Sequence, residues 1–200
     1  EVNYNGQPAG YVLNPGEVVN YVENHDNQTL FDINAYKLPT STSREDRARV
    51  QMLGVAINSF SQGIAYFHAG IDTLRSKSMD RDSYNSGDWF NRIDWTYTDN
   101  YFGTGLPVKD KNGDNWGQIT PLLTDLDAFR DLLKIRASST LFRLRSGDDV
   151  KARLTFHNTG STQVATVLAG HLDGVGYPAA GFKEVLYLVN VDKAAQTLTI

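Results

Sequence analysis

Apolar positions along the chain keep changing their period, and each change predicts an element. Val18, Val19, Tyr21 and Val22 fall within five residues and predict a short strand buried on both faces, as in a parallel sheet. From Ser43 the period is helical. Val50, Leu53, Ile57 and Phe60 lie three or four apart, with Met52 and Ala56 widening the stripe, so a helix is predicted to about Gln62. Ser43-Arg44-Glu45-Asp46 opens it as a capping box, with acidic residues at the positive helix end. Gly63 is the expected stop. Ile64-Ala65-Tyr66-Phe67 then predicts a second short strand, closed by His68-Ala69-Gly70. Strand, helix and strand at this spacing make a βαβ unit with a right-handed crossover. Residues 1–16 and 31–42, rich in turn formers, read as loops.

Beyond Gly70 the pattern breaks down and then returns in another form. Residues 71–95 are too polar and too rich in Ser and Asp for a regular element. Residues 97–117 read as irregular. Pro121 starts a helical region to about Ala137, with Leu126, Phe129, Leu132 and Leu133 as its stripe. Val150, Ala152, Leu154 and Phe156 alternate with polar residues and predict a half-buried strand. A turn at residues 158–161, a strand over 163–168, a Gly-rich loop over 171–181, a strand over 184–191 and the start of another over 196–200 follow. Short strands with Gly turns argue for an antiparallel sandwich.

Composition narrows the classes. The 200 residues carry a net charge of −4 and no basic run, so nucleic acid is not an expected partner. There is no cysteine, which removes disulfides and thiolate metal sites. No apolar run reaches the ~20 residues of a membrane span. Asp110, Asn112 and Asp114 alternate as in an EF-hand loop, but Asn115 and Pro121 stand where that loop needs Gly and an acid, so no metal site is expected. His157 and His171 are expected at the surface or in turns. The Asn27-Gln28-Thr29 sequon is expected to be unmodified.

Candidate chemistry gathers where the first strand ends, at Glu23, Asn24, His25, Asp26 and Asn27. Composition alone favours a polar turn whose side chains satisfy local N–H groups. The other reading is a barrel site, because (β/α)-barrels put their chemistry at the carboxyl ends of parallel strands. Residues 71–95 would join that face, offering planar hydrogen-bond partners and flat aromatic surfaces suited to sugars. A solvated loop of paired charges is the alternative.

The core Asn24-His25-Asp26-Asn27, followed by Gln28-Thr29-Leu30-Phe31-Asp32, resembles the last signature motif of the α-amylase superfamily (glycoside hydrolase family 13). The form is that of pullulanases and limit dextrinases, which cleave α-1,6 branches of starch-type glucans. The likeness extends through residues 43–70, 74–95 and 132–144. It implies an α/β chain in which residues 1–140 are the C-terminal part of a (β/α)8 TIM barrel and residues 141–200 part of an antiparallel β-sandwich. A complete barrel needs about 250 residues, so this chain is expected to be one portion of a longer enzyme.

By that resemblance the enzyme debranches pullulan, amylopectin and limit dextrins by a retaining mechanism. The family's Asp nucleophile and Glu acid/base lie on earlier strands, and neither motif is found here. Asp26 matches the third acid, which binds the sugar at the cleavage point and stabilises the transition state. His25 matches a histidine bonded to the same sugar, and Asn27 borders it. Arg81, Asp82 and Tyr84 match a loop that contacts glucose units. Glu23 and Asp88 are assigned to support. No cofactor is expected in this segment, with calcium open for the rest of the enzyme. The partners implied are the glucan and the remainder of the same enzyme, and the location implied is secreted, cell-surface or periplasmic in a bacterium. The rival readings are an α-1,4-acting or isoamylase-type member and an inactive glucan-binding fragment. A partial barrel exposes strand edges, so the isolated segment is expected to be inactive and to need its missing portion.

Overall fold

The structure, a computed structural model, describes residues 2–10, 12–103 and 126–200. The chain divides into two compact units. One comprises Glu1–Asn20, Ser59–Ala65 and Lys134–Ile200, and the other Tyr21–Asn58 and Tyr66–Leu133.

The first unit opens with a hairpin, where a loop is the expectation. Strands β1 (Val2–Tyr4) and β2 (Gln7–Ala9) pair antiparallel in the register Val2↔Ala9 and Tyr4↔Gln7. Asn5 and Gly6 between them have φ of 51° and 80°, the left-handed pair that a two-residue Asn-Gly turn demands. Strand β3 (Val19–Asn20) lies parallel to β4 (Ile64–Ala65). Both strands are two residues long, and Val19 and Ile64 are half exposed, so the expectation of a strand buried on both faces is corrected. Apolar runs mark propensity, but burial needs neighbouring strands, and this sheet has two. Gly63 does stop the preceding helix. Its φ is 100°, and a Cβ there would sit 2.9 Å from the Pro15 carbonyl.

The rest of this unit is a three-stranded antiparallel sheet with its cover. Helix α5 (Gly147–Arg153) runs into β5 (Leu154–Phe156), then β6 (Val167–Asp173) and β7 (Glu184–Asn190), in the order β5-β6-β7. The predicted strand over 150–156 is therefore half helix. Ser146 caps α5, accepting from the Asp149 N–H at 3.0 Å and donating to its carboxylate at 2.9 Å, and this capping outweighs the alternation. The predicted strand over 163–168 is shifted to Val167–Asp173, which takes His171 out of the predicted loop. No strand forms over 196–200. Antiparallel pairing is as expected, but residues 141–200 form one such sheet and not the two of a sandwich.

One face of that sheet carries the core of Leu141, Phe142, Leu144, Leu172, Ala180 and Tyr187, with Phe60 packed against it. The Phe60 ring lies 5.6 Å from Phe142 and 5.5 Å from Tyr187. Gly170 pairs with Tyr187 across the strands, and a Cβ on it would fall 2.1 Å from the Tyr187 ring. Arg136 spans three backbone carbonyls, of Ser59, Ser61 and Gly63, at 2.6–2.9 Å. Burial, together with the charge of Arg143, lowers its pKa.

The second unit is built on helices. Helix α1 (Leu30–Lys37) replaces the predicted loop over 31–42. Thr29 caps it by accepting the Asp32 N–H at 3.1 Å, a signal present in the sequence as Thr-x-x-Asp. Helix α2 (Arg44–Phe60) starts where predicted, with Ser43 accepting the Asp46 N–H at 3.1 Å. Its buried face is not the predicted stripe. Ala48, Gln51, Val55 and Asn58 are buried, whereas Ile57 is 41% exposed. The buried amides find carbonyls: Gln51 donates to Ile71 and Asn58 to Tyr66. Phe31, Ala35, Ala48 and Leu74, joined by Met79 and Phe102, form the apolar centre.

The long polar segment follows with 3₁₀ turns at Ile71–Thr73 and Ser83–Asn85 and a one-turn helix α3 (Asp88–Asn91). Its first part is not a solvated loop, because Leu74, Arg75, Ser76, Lys77 and Ser78 are all buried, whereas most of residues 81–91 are exposed. Helix α4 (Leu126–Ser138) covers the described end of the predicted helix. Of its stripe, Phe129 and Leu132 are half buried and Leu133 is exposed. The EF-hand-like positions and Pro121 lie outside the described residues. The architecture of the described residues is thus mixed α/β with small sheets, and they contain no TIM barrel.

Candidate functional site

The site residues all belong to the second unit. Residues 24–28 form a turn just before α1. Asn24 accepts the Asp26 N–H at 2.7 Å, and Asn27 takes φ of 57°, a conformation Asn tolerates better than most residues. The turn therefore projects two neighbouring side chains outward. His25 and Asp26 are 82% and 70% exposed, with Nε2 and Oδ1 3.6 Å apart. An exposed imidazole beside an exposed carboxylate can offer both donor and acceptor to a hydroxyl-rich ligand.

The segment after Gly70 is fastened to this turn by charged and polar contacts. Lys77 Nζ donates to the His25 carbonyl at 2.8 Å, and Arg81 donates to Asn27 Oδ1 at 3.3 Å. Asp32, fully buried in the first turn of α1, holds the segment from below. It accepts from Ser76 Oγ at 2.5 Å, the Lys77 N–H at 2.8 Å and the Met79 N–H at 3.3 Å. Burial raises the Asp32 pKa, and the bonds from Ser76, Lys77, Met79 and Thr29 oppose that rise. Burial lowers the Lys77 pKa, and the charge of Arg75 adds to this. Asp32, Asp80 and Asp26 act in the opposite direction. Leu74, Ser78 and Met79 all have positive φ, so three non-glycine residues sit in a sparsely populated conformation within six positions. Such strain persists where surrounding contacts over-determine the backbone, and it clusters at functional sites.

A second buried array brackets the turn. Glu23 accepts the Leu30 N–H at the start of α1, and its other oxygen lies 3.3 Å from His68 Nδ1. His68 Nε2 lies 3.3 Å from an Arg75 guanidinium nitrogen. A guanidinium can only donate, so Nε2 accepts and Nδ1 carries the proton to Glu23. Arg75 also donates to the Asn91 carbonyl. Burial lowers the Arg75 pKa, against the charges of Glu23 and Asp32.

Of the sequence-predicted residues, the structure brings together His25, Asp26, Asn27 and Arg81. Asp82 donates its N–H to Asp80 at 2.8 Å, and Tyr84 stands 82% exposed. Among the described residues neither side chain has a hydrogen bond or ion pair with the turn. Sequence reasoning missed Lys77, His68 and Arg75, whose partners lie far along the chain, and gave Glu23 a supporting part without its partners. His157 and His171 lie in the other unit with ring centroids 5.5 Å apart. Among the described residues no group of three His, Cys, Asp or Glu side chains could hold a metal, and no helix is long and apolar enough to cross a membrane.

Residues 97–200 match the family model described as alpha-1,6-glucosidases, pullulanase-type, C-terminal. The chain belongs to the pullulanase-type α-1,6-glucosidase family. It is 47% identical over 174 residues to pullulanase 1, chloroplastic, of Arabidopsis thaliana, covering 80% of this chain and 18% of that protein. It is 43% identical over 185 residues to pullulanase of Klebsiella pneumoniae, covering 86% of this chain and 17% of that one. The crystal structure of Klebsiella pneumoniae pullulanase complexed with maltotriose is similar to 95% of this chain, at 40% identity and a TM-score of 0.82, over 20% of its own length. The chain thus spans less than a fifth of the length of these curated pullulanases.

Proposed function

We propose that this chain is the C-terminal portion of a starch- and pullulan-debranching hydrolase of the α-amylase superfamily, which cleaves α-1,6-glucosidic bonds with retention. The observation that carries the reading is the exposed His25–Asp26 pair on a turn fastened to the 76–81 segment through Lys77 and Arg81. In this reading β3, the helices after it and β4 are the seventh strand, seventh helix and eighth strand of a (β/α)8 barrel whose other strands belong to the rest of the enzyme. The parallel pairing of β3 with β4 supports it. Residues 141–200 then start a β-sandwich, supported by the antiparallel β5-β6-β7 sheet.

The chemistry follows from charge. Glycoside hydrolysis passes through an oxocarbenium-like transition state, with a nucleophile and an acid/base supplied here by upstream strands. Asp26 provides a fixed negative group beside the sugar ring as positive charge builds on it. His25 donates to a hydroxyl of the same sugar. Asn27 and Arg81 border that ring, and Asp82 and Tyr84, both open to solvent, meet glucose units further along the chain.

The test is hydrolysis of pullulan by the full-length enzyme and its Asp26→Asn variant, with product analysis. Maltotriose from the parent and none from a folded variant is the expected outcome. Panose-type products would assign α-1,4 cleavage, and unchanged turnover in the variant would remove Asp26 from the mechanism. No hydrolysis by the parent would leave a glucan-binding or structural role.

A further inference from the structure

Lys77 is an unusual side chain to find where it is. It is 1% exposed, and a buried ammonium is costly unless it is well compensated. Its Nζ donates to the carbonyl of His25, the residue immediately before Asp26, at 2.8 Å across 52 positions of sequence. Its backbone is fixed independently, since the Lys77 N–H donates to Asp32 at 2.8 Å. The lysine therefore reaches from an anchored loop to the peptide that sets the direction of the Asp26 side chain. Burial and the charge of Arg75 disfavour its ammonium, and Asp32, Asp80 and Asp26 act in the opposite direction.

We propose that Lys77 is the positioning residue of the His25–Asp26 turn. By holding the His25 carbonyl it keeps the following carboxylate in the pose that meets the transition state, without touching substrate. This rests on the reading of Asp26 given above. A merely structural lysine would need only to fill the space and join the loops. A positioning lysine makes a contribution expressed in turnover, because small displacements of a catalytic group lower the rate more than they weaken ground-state binding.

The experiment uses the full-length enzyme, with pullulan as substrate and two probes, maltotriose and a cationic iminosugar that mimics the charged transition state. Inactivity of the parent on pullulan would bring down the functional reading itself. With an active parent, Lys77→Met removes the donor and charge at similar volume. Measured below its unfolding temperature, kcat is expected to fall roughly 100-fold with KM within about twofold of the parent. Iminosugar binding weakens in parallel while maltotriose binding holds. A kcat within twofold of the parent, or equal weakening of both probes, overturns the proposal. If Lys77→Met does not fold, Lys77→Gln is judged by the same criteria. Failure of both to fold assigns Lys77 to stability and also overturns it.

Discussion

At the scale of single residues, the site rests on buried charges rather than on the exposed ones that a motif displays. Asp32 is the clearest case. Its pKa is raised above 3.8 by burial, so the stability it contributes is fully present below 3.8 and is lost as pH rises through the raised value. Relative to Asp32→Asn, which does not titrate, the parent should lose thermal stability as pH rises above 3.8. A constant difference between the two melting curves would contradict this. At neutral pH the asparagine can still accept from Lys77 and Met79, but Ser76 must turn from donor to acceptor. The expected cost is about 1.5 kcal/mol. Asp94 has the opposite sign. Bonds from Thr96, Asp99 and Thr98 push its carboxyl far below the usual range, so the 94–99 turn should keep its carboxylate ionised in acid where surface carboxylates are protonated. Carbon-detected titration of Asp94 checks this. His25, Asp26, Asn27 and Arg81 could be found in the sequence because a short motif and one loop carry them. Lys77, His68 and Arg75 could not, because each is defined by a partner that only folding supplies.

At the scale of elements, helix starts decided where the sequence reading held and where it failed. Helix α2 was legible because its capping box stands before a clear apolar stripe. Helices α1 and α5 were not, although Thr29-x-x-Asp32 and Ser146-x-x-Asp149 carry the same hydrogen-bonding logic. In α1 the apolar positions Leu30, Phe31, Ile33, Ala35 and Tyr36 are spread around the helix and mark no single face. In α5 the alternation of Val150 and Ala152 outweighed the cap. Removing the cap with Ser146→Ala should lower stability by about 1 kcal/mol, read from the thermal midpoint. The sheet offers a larger effect. Gly170→Ala would drive a methyl group into Tyr187, and overpacking of this kind costs about 1–3 kcal/mol. Pairing it with Tyr187→Phe should not rescue it, because the clash is with the ring carbons as well as the hydroxyl. Recovery in the double variant would show that the hydroxyl alone is in conflict.

At the scale of the whole molecule, the short parallel pair is where the chain is least self-sufficient. Val19 and Ile64 are 53% and 50% exposed on two strands with no further strand beside them among the described residues. Open edges with apolar side chains invite pairing with another copy. The 200-residue chain alone should therefore associate increasingly with concentration, and Val19→Lys with Ile64→Lys should suppress this in sedimentation velocity. Association unchanged by both lysines would locate the sticky surface elsewhere. The division into units has one further effect, on timing. The first unit draws on Glu1–Asn20, Ser59–Ala65 and Lys134–Ile200, whereas every residue of the second has been made by Leu133. A ribosome adds about 5–20 residues each second. For several seconds of synthesis, then, the unit bearing His25 and Asp26 has all of its chain, while Phe60 waits for the Phe142 and Tyr187 rings it will pack against.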